Sequence, residues 1–218
     1  FGAYYTILQT SSPVAGLLVG IGVGAFMGLV YAVITVSLGA EQGISGIGIY
    51  LFGLGMSDLL FQKKVGTPLP IRGFADLHIP WLSDIPHLGK MFFQHSVLVY
   101  MAFLLVPAVA FLINRTTYGL NVRAVGENPA AADSLGVSVT RIRYSTIILA
   151  NTLAGVAGAV LSIELGIFQQ NLTNGQGFIA IALVYFGAWR PTGVMAGALL
   201  FGLVSSTVLQ WRTLGIVS

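Results

Sequence analysis

Long runs without any charged residue are the feature that most constrains this chain. Residues 1–40 contain no Asp, Glu, Lys or Arg, and further charge-free runs occupy 42–57, 91–114, 144–163 and 191–211. A helix needs about 20 mostly apolar residues to cross a bilayer. Such a helix satisfies its backbone hydrogen bonds inside lipid, and these runs lack the alternation of β-barrel strands. The sequence therefore predicts an all-α, polytopic transmembrane helical bundle.

The composition agrees with this class and excludes several others. Hydrophobic residues make up 56% of the 218 residues and charged residues only 8%, whereas a soluble domain carries about 25% charged residues. The net charge of +3 is scattered, and cysteine is absent, so neither nucleic-acid binding nor disulfide or thiolate chemistry is expected. The sequence contains no P-loop and no hydrolase motif. It therefore predicts no catalytic, cofactor or nucleotide site on this chain.

The predicted membrane helices lie at about 13–38, 43–60, 96–114, 142–165 and 191–210. Residues 1–12 are interpreted as the end of an earlier helix and a turn into Pro13. The apolar stretch 177–189 covers roughly 20 Å of a hydrocarbon core about 30 Å thick. It is therefore either a spanning helix extended by one turn or a re-entrant half-helix. Because the chain opens on Phe1 without an initiator Met, we expect a truncated piece of a longer membrane protein.

Small residues recur at a spacing of four along three of the predicted helices. The three sets are Gly16, Gly20, Gly24, Gly28 and Ala32; Ala150, Ala154, Gly158 and Ser162; and Ala198, Gly202 and Ser206. This spacing places small residues on one helix face, where two backbones can approach closely inside lipid. Each set is therefore predicted to be a helix-packing face.

Two polar segments separate the membrane helices. Segment 61–95 holds four of the eight prolines and all three histidines, and we expect a loop with a small structure of its own. Its histidines, His78, His87 and His95, have no i, i+4 pair, so no metal site is predicted.

The second polar segment, 114–143, contains strong helix punctuation. Asn128 is a favoured N-cap, Pro129 suits the first helical position, and the three alanines that follow favour a helix. Gly136 suits a left-handed C-terminal cap, and a second helix start follows at Ser138. A capped helix of about two turns is too short to cross a membrane, so we interpret it as an exposed docking element.

These residues carry a family resemblance. The run from Gly119 to Asp133, followed by Leu135-Gly136-Val137, resembles the cytoplasmic coupling loop of ABC importer permeases that serve nucleosides, simple sugars and branched-chain amino acids. The GENPAAAD form at 126–133 and the GFIAIA run at 177–182 are most similar to the nucleoside and simple-sugar branch. The resemblance implies a single permease domain over 1–218 in the cell (cytoplasmic or inner) membrane.

The resemblance also implies partners and an orientation. Such a permease works with two ATPase subunits that bind the ATP, a second permease subunit, identical or different, and an extracytoplasmic substrate-binding protein. If all six apolar segments cross the membrane, the basic residues divide equally between its two sides, and the positive-inside rule gives no orientation. The resemblance makes 114–143 cytoplasmic and makes 61–95 and 166–176 extracytoplasmic.

Two groups of candidate site residues follow. The residues expected to couple to the ATPase are Arg123, Gly126, Glu127, Asn128, Pro129, Ala130, Ala131, Asp133 and Gly136. Polar residues in or near the membrane mark pathways, so the candidates for the substrate pathway are Asn151, Glu164, Gln169 and Gln170.

The expected function is ATP-driven import of a nucleoside or simple sugar, with ATP hydrolysis on a partner rather than on this chain. A branched-chain amino-acid permease of the same family is the first alternative. An ATP-independent channel or secondary transporter is another, and a structural membrane subunit without a pathway is the third.

Overall fold

The computed structural model describes residues 1–74, 76–78, 94–213 and 215. Its helices are α1 (Gly2–Thr10), α2 (Pro13–Ala32, continued by a π-helical turn over Val33–Ser37), α3 (Gln42–Lys64), α4 (Val97–Arg115), α5 (Thr117–Glu127), α6 (Pro129–Ser134), α7 (Val139–Leu165), α8 (Gln176–Phe186) and α9 (Pro191–Thr213). Two short strands, β1 (Asp76–His78) and β2 (Gln94–Ser96), pair antiparallel.

Five of the described helices are long and apolar enough to cross a membrane. They are α2 with its π-helical turn, α3, α4, α7 and α9. This confirms the predicted all-α polytopic bundle and a multi-pass membrane protein. The eleven residues of α8 measure about 16 Å, which is too short to cross the hydrocarbon core alone.

The largest differences from expectation are the end of α3 and the presence of α5. Helix α3 continues to Lys64, beyond the predicted end at 60, because Lys63 and Lys64 in its last turn are favourable at a helix C-terminus. Helix α5 was not predicted at all. Its glycines and Asn121 are weak helix formers, so this stretch did not show a helical pattern.

The described chain divides into two compact units. One contains Phe1–Tyr100 and Leu120–Thr173, and the other contains Met101–Gly119 and the described part of Asn174–Ser218. In the first unit, α2 crosses α7 at backbone contact. A Cβ added to Gly24 would lie 2.5 Å from the carbonyl oxygen of Asn151, and one added to Gly155 would lie 2.4 Å from the carbonyl oxygen of Gly20. The predicted packing face of α2 is therefore correct.

The predicted packing face of α7 is wrong for three of its four residues, and of the four only Ser162 is buried. Ala150, Ala154 and Gly158 are exposed, and nothing lies within 4 Å of a Cβ added to Gly158. The neighbouring face, with Gly155 and Ala159, meets α2 instead. Both faces carry small residues at helical spacing, so the sequence pattern alone could not choose between them.

An aromatic cluster ties α1 to the end of α3 and to the segment after α7. The rings of Tyr4, Phe61 and Phe168 lie with centroids 5.4–6.5 Å apart, and all three are buried. The Tyr4 hydroxyl donates to the carbonyl of Leu69 at 2.8 Å and accepts from the Leu69 amide at 2.9 Å. The Ile71 amide donates to the carbonyl of Gly166 at 2.7 Å. The start of the long polar loop therefore packs against α1 and the C-terminal end of α7.

In the second unit, α8 and α9 form a helical hairpin with a tight turn. A Cβ added to Gly187 would lie 2.4 Å from the amide nitrogen of Val194, so glycine is required for this approach. Ala188 and Trp189 in the turn both have positive φ, 51° and 59°. The remainder of the polar loop, residues 75 and 79–93, lies outside the described residues, and so does the expectation for His87.

Candidate functional site

The capping of α6 matches the prediction from its sequence. Asn128 is extended, and its side-chain oxygen accepts from the Ala131 amide at 3.0 Å. Pro129 occupies the first turn. Gly136 has φ +84°, and its amide donates to the Asp133 carbonyl at 2.9 Å. Both ends of this short helix are therefore fixed by local hydrogen bonds.

One side of α6 is anchored and the other is open. Ala132 is buried at 3% exposure, and α6 contacts α7. Ala130, Ala131 and Asp133 are exposed, and Leu135 directly after the helix is 84% exposed. This segment carries polar and charged residues and joins two membrane helices. Its outer face is therefore smooth, small and accessible to another protein.

Helix α5 leads directly into α6. Val125 is buried, while Arg123, Gly126 and Glu127 are exposed. The Asn128 amide donates to the Ala124 carbonyl at 3.0 Å, so the residue that caps α6 also continues the hydrogen bonding of α5. The nine predicted coupling residues thus lie on one continuous helix–cap–helix element. Their role in coupling stays a prediction.

A hydrogen bond that the sequence did not indicate links α7 to α2. Tyr144, in the second turn of α7, bonds through its hydroxyl to the hydroxyl of Ser37. Ser37 ends the π-helical turn, and π-helical turns are frequent at functional sites. Ser37 and Tyr144 are 107 residues apart in the chain, and no local sequence pattern predicts a hydrogen bond between residues so distant.

The four predicted pathway residues do not lie together. The Asn151 side chain donates to the Ile147 carbonyl at 3.0 Å, and its Cβ faces Gly28 at the α2–α7 crossing. Glu164 lies 13 residues further along α7, or about 20 Å, and accepts a hydrogen bond from the hydroxyl of Ser96. Gln169 and Gln170 are exposed beyond the helix. Their role in a pathway stays a prediction.

Two other features of the first unit were missed by sequence reasoning. A cavity of about 220 Å³ is lined by Ser57, Asn171 and Thr173, which are polar, together with Phe168, and by none of the four pathway candidates.

One carboxylate oxygen of Asp58, in α3, is buried without a hydrogen-bond partner among the described residues. An acid inside a membrane helix is costly and is by default a candidate for a functional role. The position of Asp58 in an apolar run was the signal that could have found it.

Comparison with known proteins decides the family. A family model described as branched-chain amino acid transport system / permease component matches residues 1–214. The chain belongs to this permease family. It is 35% identical over 208 residues to the guanosine ABC transporter permease protein NupQ of Bacillus subtilis, covering 91% of this chain and 64% of that protein.

Other relatives carry related names. The nucleoside ABC transporter permease protein NupC of Lactococcus lactis is 36% identical over 199 residues, covering 89% of this chain and 63% of that protein. The fructose import permease protein FrcC of Rhizobium meliloti is 26% identical over 208 residues, covering 92% of this chain and 57% of that protein. The chain thus spans less than two thirds of the length of each of these relatives. No solved structure matches it.

Proposed function

We propose that this chain is the membrane-spanning part of a permease subunit in an ABC importer, and that it helps carry a nucleoside or simple sugar into the cell. The observation that carries the proposal is the geometry of α6. This helix is capped at both ends, lies in a polar segment between two membrane helices, and exposes a face of small residues. The names of NupQ, NupC and FrcC support the cargo class. ATP is bound and hydrolysed on partner ATPases.

The contacts of α6 support a route for the coupling. An ATPase that closes on ATP moves the docked α6, and α6 is joined to α7 through only four residues, 135–138. Helix α7 lies against the backbone of α2 and is tied to it by the Tyr144–Ser37 hydrogen bond. Because packed backbones move as a rigid pair rather than deform, α2 and α7 tilt together and alternate the openings of the bundle. A second permease subunit completes the pathway, and an extracytoplasmic binding protein delivers the cargo.

Ala131→Glu tests the coupling in the full parent chain, expressed with its partner permease, ATPases and binding protein. Because Ala131 is exposed on the outer face of α6, the variant should fold normally. When the ATPase docks, however, the new glutamate is buried against it as an unpaired charge. Such a charge is strongly destabilising to an interface, and we expect ATP-driven uptake of labelled cargo to fall about tenfold or more. Membrane insertion stays normal.

The matched control is Thr117→Glu, which places the same charge on an exposed residue of the first turn of α5. A glutamate is favourable there, and uptake should stay near that of the unmodified protein. Equal loss in both variants would point to a general charge effect. If neither Ala131→Glu nor ATP depletion changes the rate of uptake, an ATP-independent channel or secondary transporter is favoured.

The cargo needs a separate comparison, because the family description names branched-chain amino acids. Labelled guanosine, ribose and leucine are offered in turn to cells that lack their own importers for them. ATP-dependent uptake of guanosine or ribose supports the proposal. Uptake of leucine alone would keep the importer and replace the cargo with a branched-chain amino acid. A complex that passes none of the three would favour a structural subunit.

A further inference from the structure

An open apolar groove lies within the second unit, between α4 and the α8–α9 hairpin. Its volume is about 550 Å³, and its walls include Phe103, Val106, Val194 and Ala198. This volume falls in the range of about 300–1,000 Å³ that small organic ligands occupy in proteins. Of the residues that line it in the described part of the chain, Arg190 is the single charged one, and no carboxylate accompanies it. The groove therefore combines a long hydrocarbon surface with one cation.

Aromatic side chains show the depth at which Arg190 lies. Tyr185 and Trp189 form an edge-to-face pair with ring centroids 5.0 Å apart, and both are more than 60% exposed. Tyrosine and tryptophan concentrate where the bilayer meets water, and arginine at a helix end extends to the same level. The turn at 187–190 is therefore at the lipid headgroups, and the groove runs from there into the hydrocarbon.

The turn holds these groups in a fixed position. Ala188 and Trp189 both have left-handed backbone conformations, which non-glycine residues adopt only where the surrounding structure imposes them. The Trp189 amide donates to the Val184 carbonyl at 3.1 Å, and the Arg190 amide donates to the Gly187 carbonyl at 3.1 Å. Such strained turns cluster at ligand clamps. The backbone at Trp189 and Arg190 is thus held in place beside the groove before any ligand binds.

We infer that this groove is a binding site for one anionic phospholipid, with an acyl chain in the groove and the phosphate on the Arg190 guanidinium. A guanidinium pairs with phosphate through two parallel hydrogen bonds. Charge decides between a lipid and a protein occupant. A helix that covered the groove would have to carry a carboxylate placed at Arg190, because the groove supplies none, whereas every anionic phospholipid carries its phosphate next to its acyl chains. The surrounding bilayer supplies this ligand at high concentration.

Native mass spectrometry of the full parent complex tests the inference. The complex is purified in a neutral detergent and supplemented with either phosphatidylglycerol or phosphatidylcholine, and the lipids retained per complex are counted. We expect preferential retention of phosphatidylglycerol. Arg190→Gln should reduce that retention about fivefold, which is the contribution of one basic side chain near a membrane surface. Ala198→Phe should reduce retention of both lipids by filling the groove.

Two variants of the same helix serve as controls. Arg212→Gln removes an exposed cation from the other end of α9, and Ala196→Phe enlarges an exposed alanine; neither residue lines the groove. Both should retain lipid like the unmodified complex. Equal losses in Arg190→Gln and Arg212→Gln would overturn the inference in favour of a general surface charge effect. Retention that is insensitive to Ala198→Phe would overturn the acyl-chain position.

A photoreactive phosphatidylglycerol with a diazirine in its acyl chain gives a second measurement that needs no variant. Adducts should fall on peptides that contain residues 102–109 and 191–199. If the complex forms adducts elsewhere but none on these peptides, another subunit or another part of the parent chain fills the groove, and the lipid site is wrong.

Discussion

At the scale of single residues, the crossing of α2 and α7 depends on the absence of side chains. In Gly24→Ala, the new methyl group would lie 2.5 Å from a backbone carbonyl oxygen of α7, and backbone cannot rotate away as a side chain can. Overpacking of this kind costs about 1–3 kcal/mol, so we expect a lower thermal unfolding midpoint for the protein in detergent.

The control for this substitution is Gly22→Ala on the same helix, where nothing lies within 4 Å of the added Cβ. Alanine is the better helix former by about 0.5–1 kcal/mol, so the midpoint should stay constant or rise slightly. A fall of the same size in both variants would show that the helix, rather than the crossing, responds.

Asn128 gives a prediction for the cap of α6. Asn128→Ala removes the oxygen that accepts from the Ala131 amide, and loss of such a cap costs about 1 kcal/mol. We expect hydrogen exchange at Ala131 to accelerate about fivefold. Asn128→Asp retains an accepting oxygen and should exchange like the unmodified protein. Unchanged exchange in Asn128→Ala would mean that contacts with α7, and not the cap, hold the helix.

At the scale of elements, the sequence predicted what short-range chemistry decides. Asn128, Pro129 and Gly136 specify the ends of α6 because each acts on backbone groups within four residues. The rotation of α7 was mispredicted because two adjacent faces carry small residues, and only contact with α2 selects Gly155 over Gly158. Helix α5 was missed because Gly119, Asn121 and Gly126 within it are weak helix formers.

The start of α3 gives a pH prediction. Hydrogen bonds from the Ile44 and Gly43 amides hold the pKa of the Glu41 carboxyl below its ordinary value of 4.5. A carboxyl with a lowered pKa stabilises the folded helix end above its ordinary pKa, and that stabilisation is lost as the pH falls through the folded value. Exchange protection at Gly43 and Ile44, corrected for intrinsic rates, should therefore be constant above pH 4.5 and fall below it.

Glu41→Gln is the matched variant, because glutamine keeps the size and one accepting oxygen but does not titrate. Its protection at Gly43 and Ile44 should be lower than in the unmodified protein at neutral pH and independent of pH between 3 and 6. If the variant loses protection in acid as the unmodified protein does, another group controls this helix end.

At the scale of the whole molecule, charge-free runs were enough to predict five membrane helices, but they carry no information about partners distant in sequence. The cluster of Tyr4, Phe61 and Phe168 joins residues more than 100 positions apart, each at or near the end of a different apolar run. Nothing local distinguishes these aromatic residues from others that face lipid. The cavity lined by Ser57, Phe168, Asn171 and Thr173 could not be predicted for the same reason, since it is formed by elements that only the fold brings together.

A substitution at Tyr4 tests how much these contacts between distant parts of the chain contribute to the stability of the fold. Tyr4→Phe keeps the ring among Phe61 and Phe168 but removes the hydroxyl that bonds both the amide and the carbonyl of Leu69, 65 residues away. Because Leu69 is 46% exposed, water can replace part of this bonding, and the loss should be about 0.5–1.5 kcal/mol. We expect a lower unfolding midpoint and faster proteolysis between residues 65 and 74. Tyr5→Phe is the control on the neighbouring residue, whose ring stacks on Phe1, and it should change neither. If proteolysis of the loop is the same in both variants, the Ile71–Gly166 hydrogen bond and the aromatic packing hold this loop without help from the Tyr4 hydroxyl.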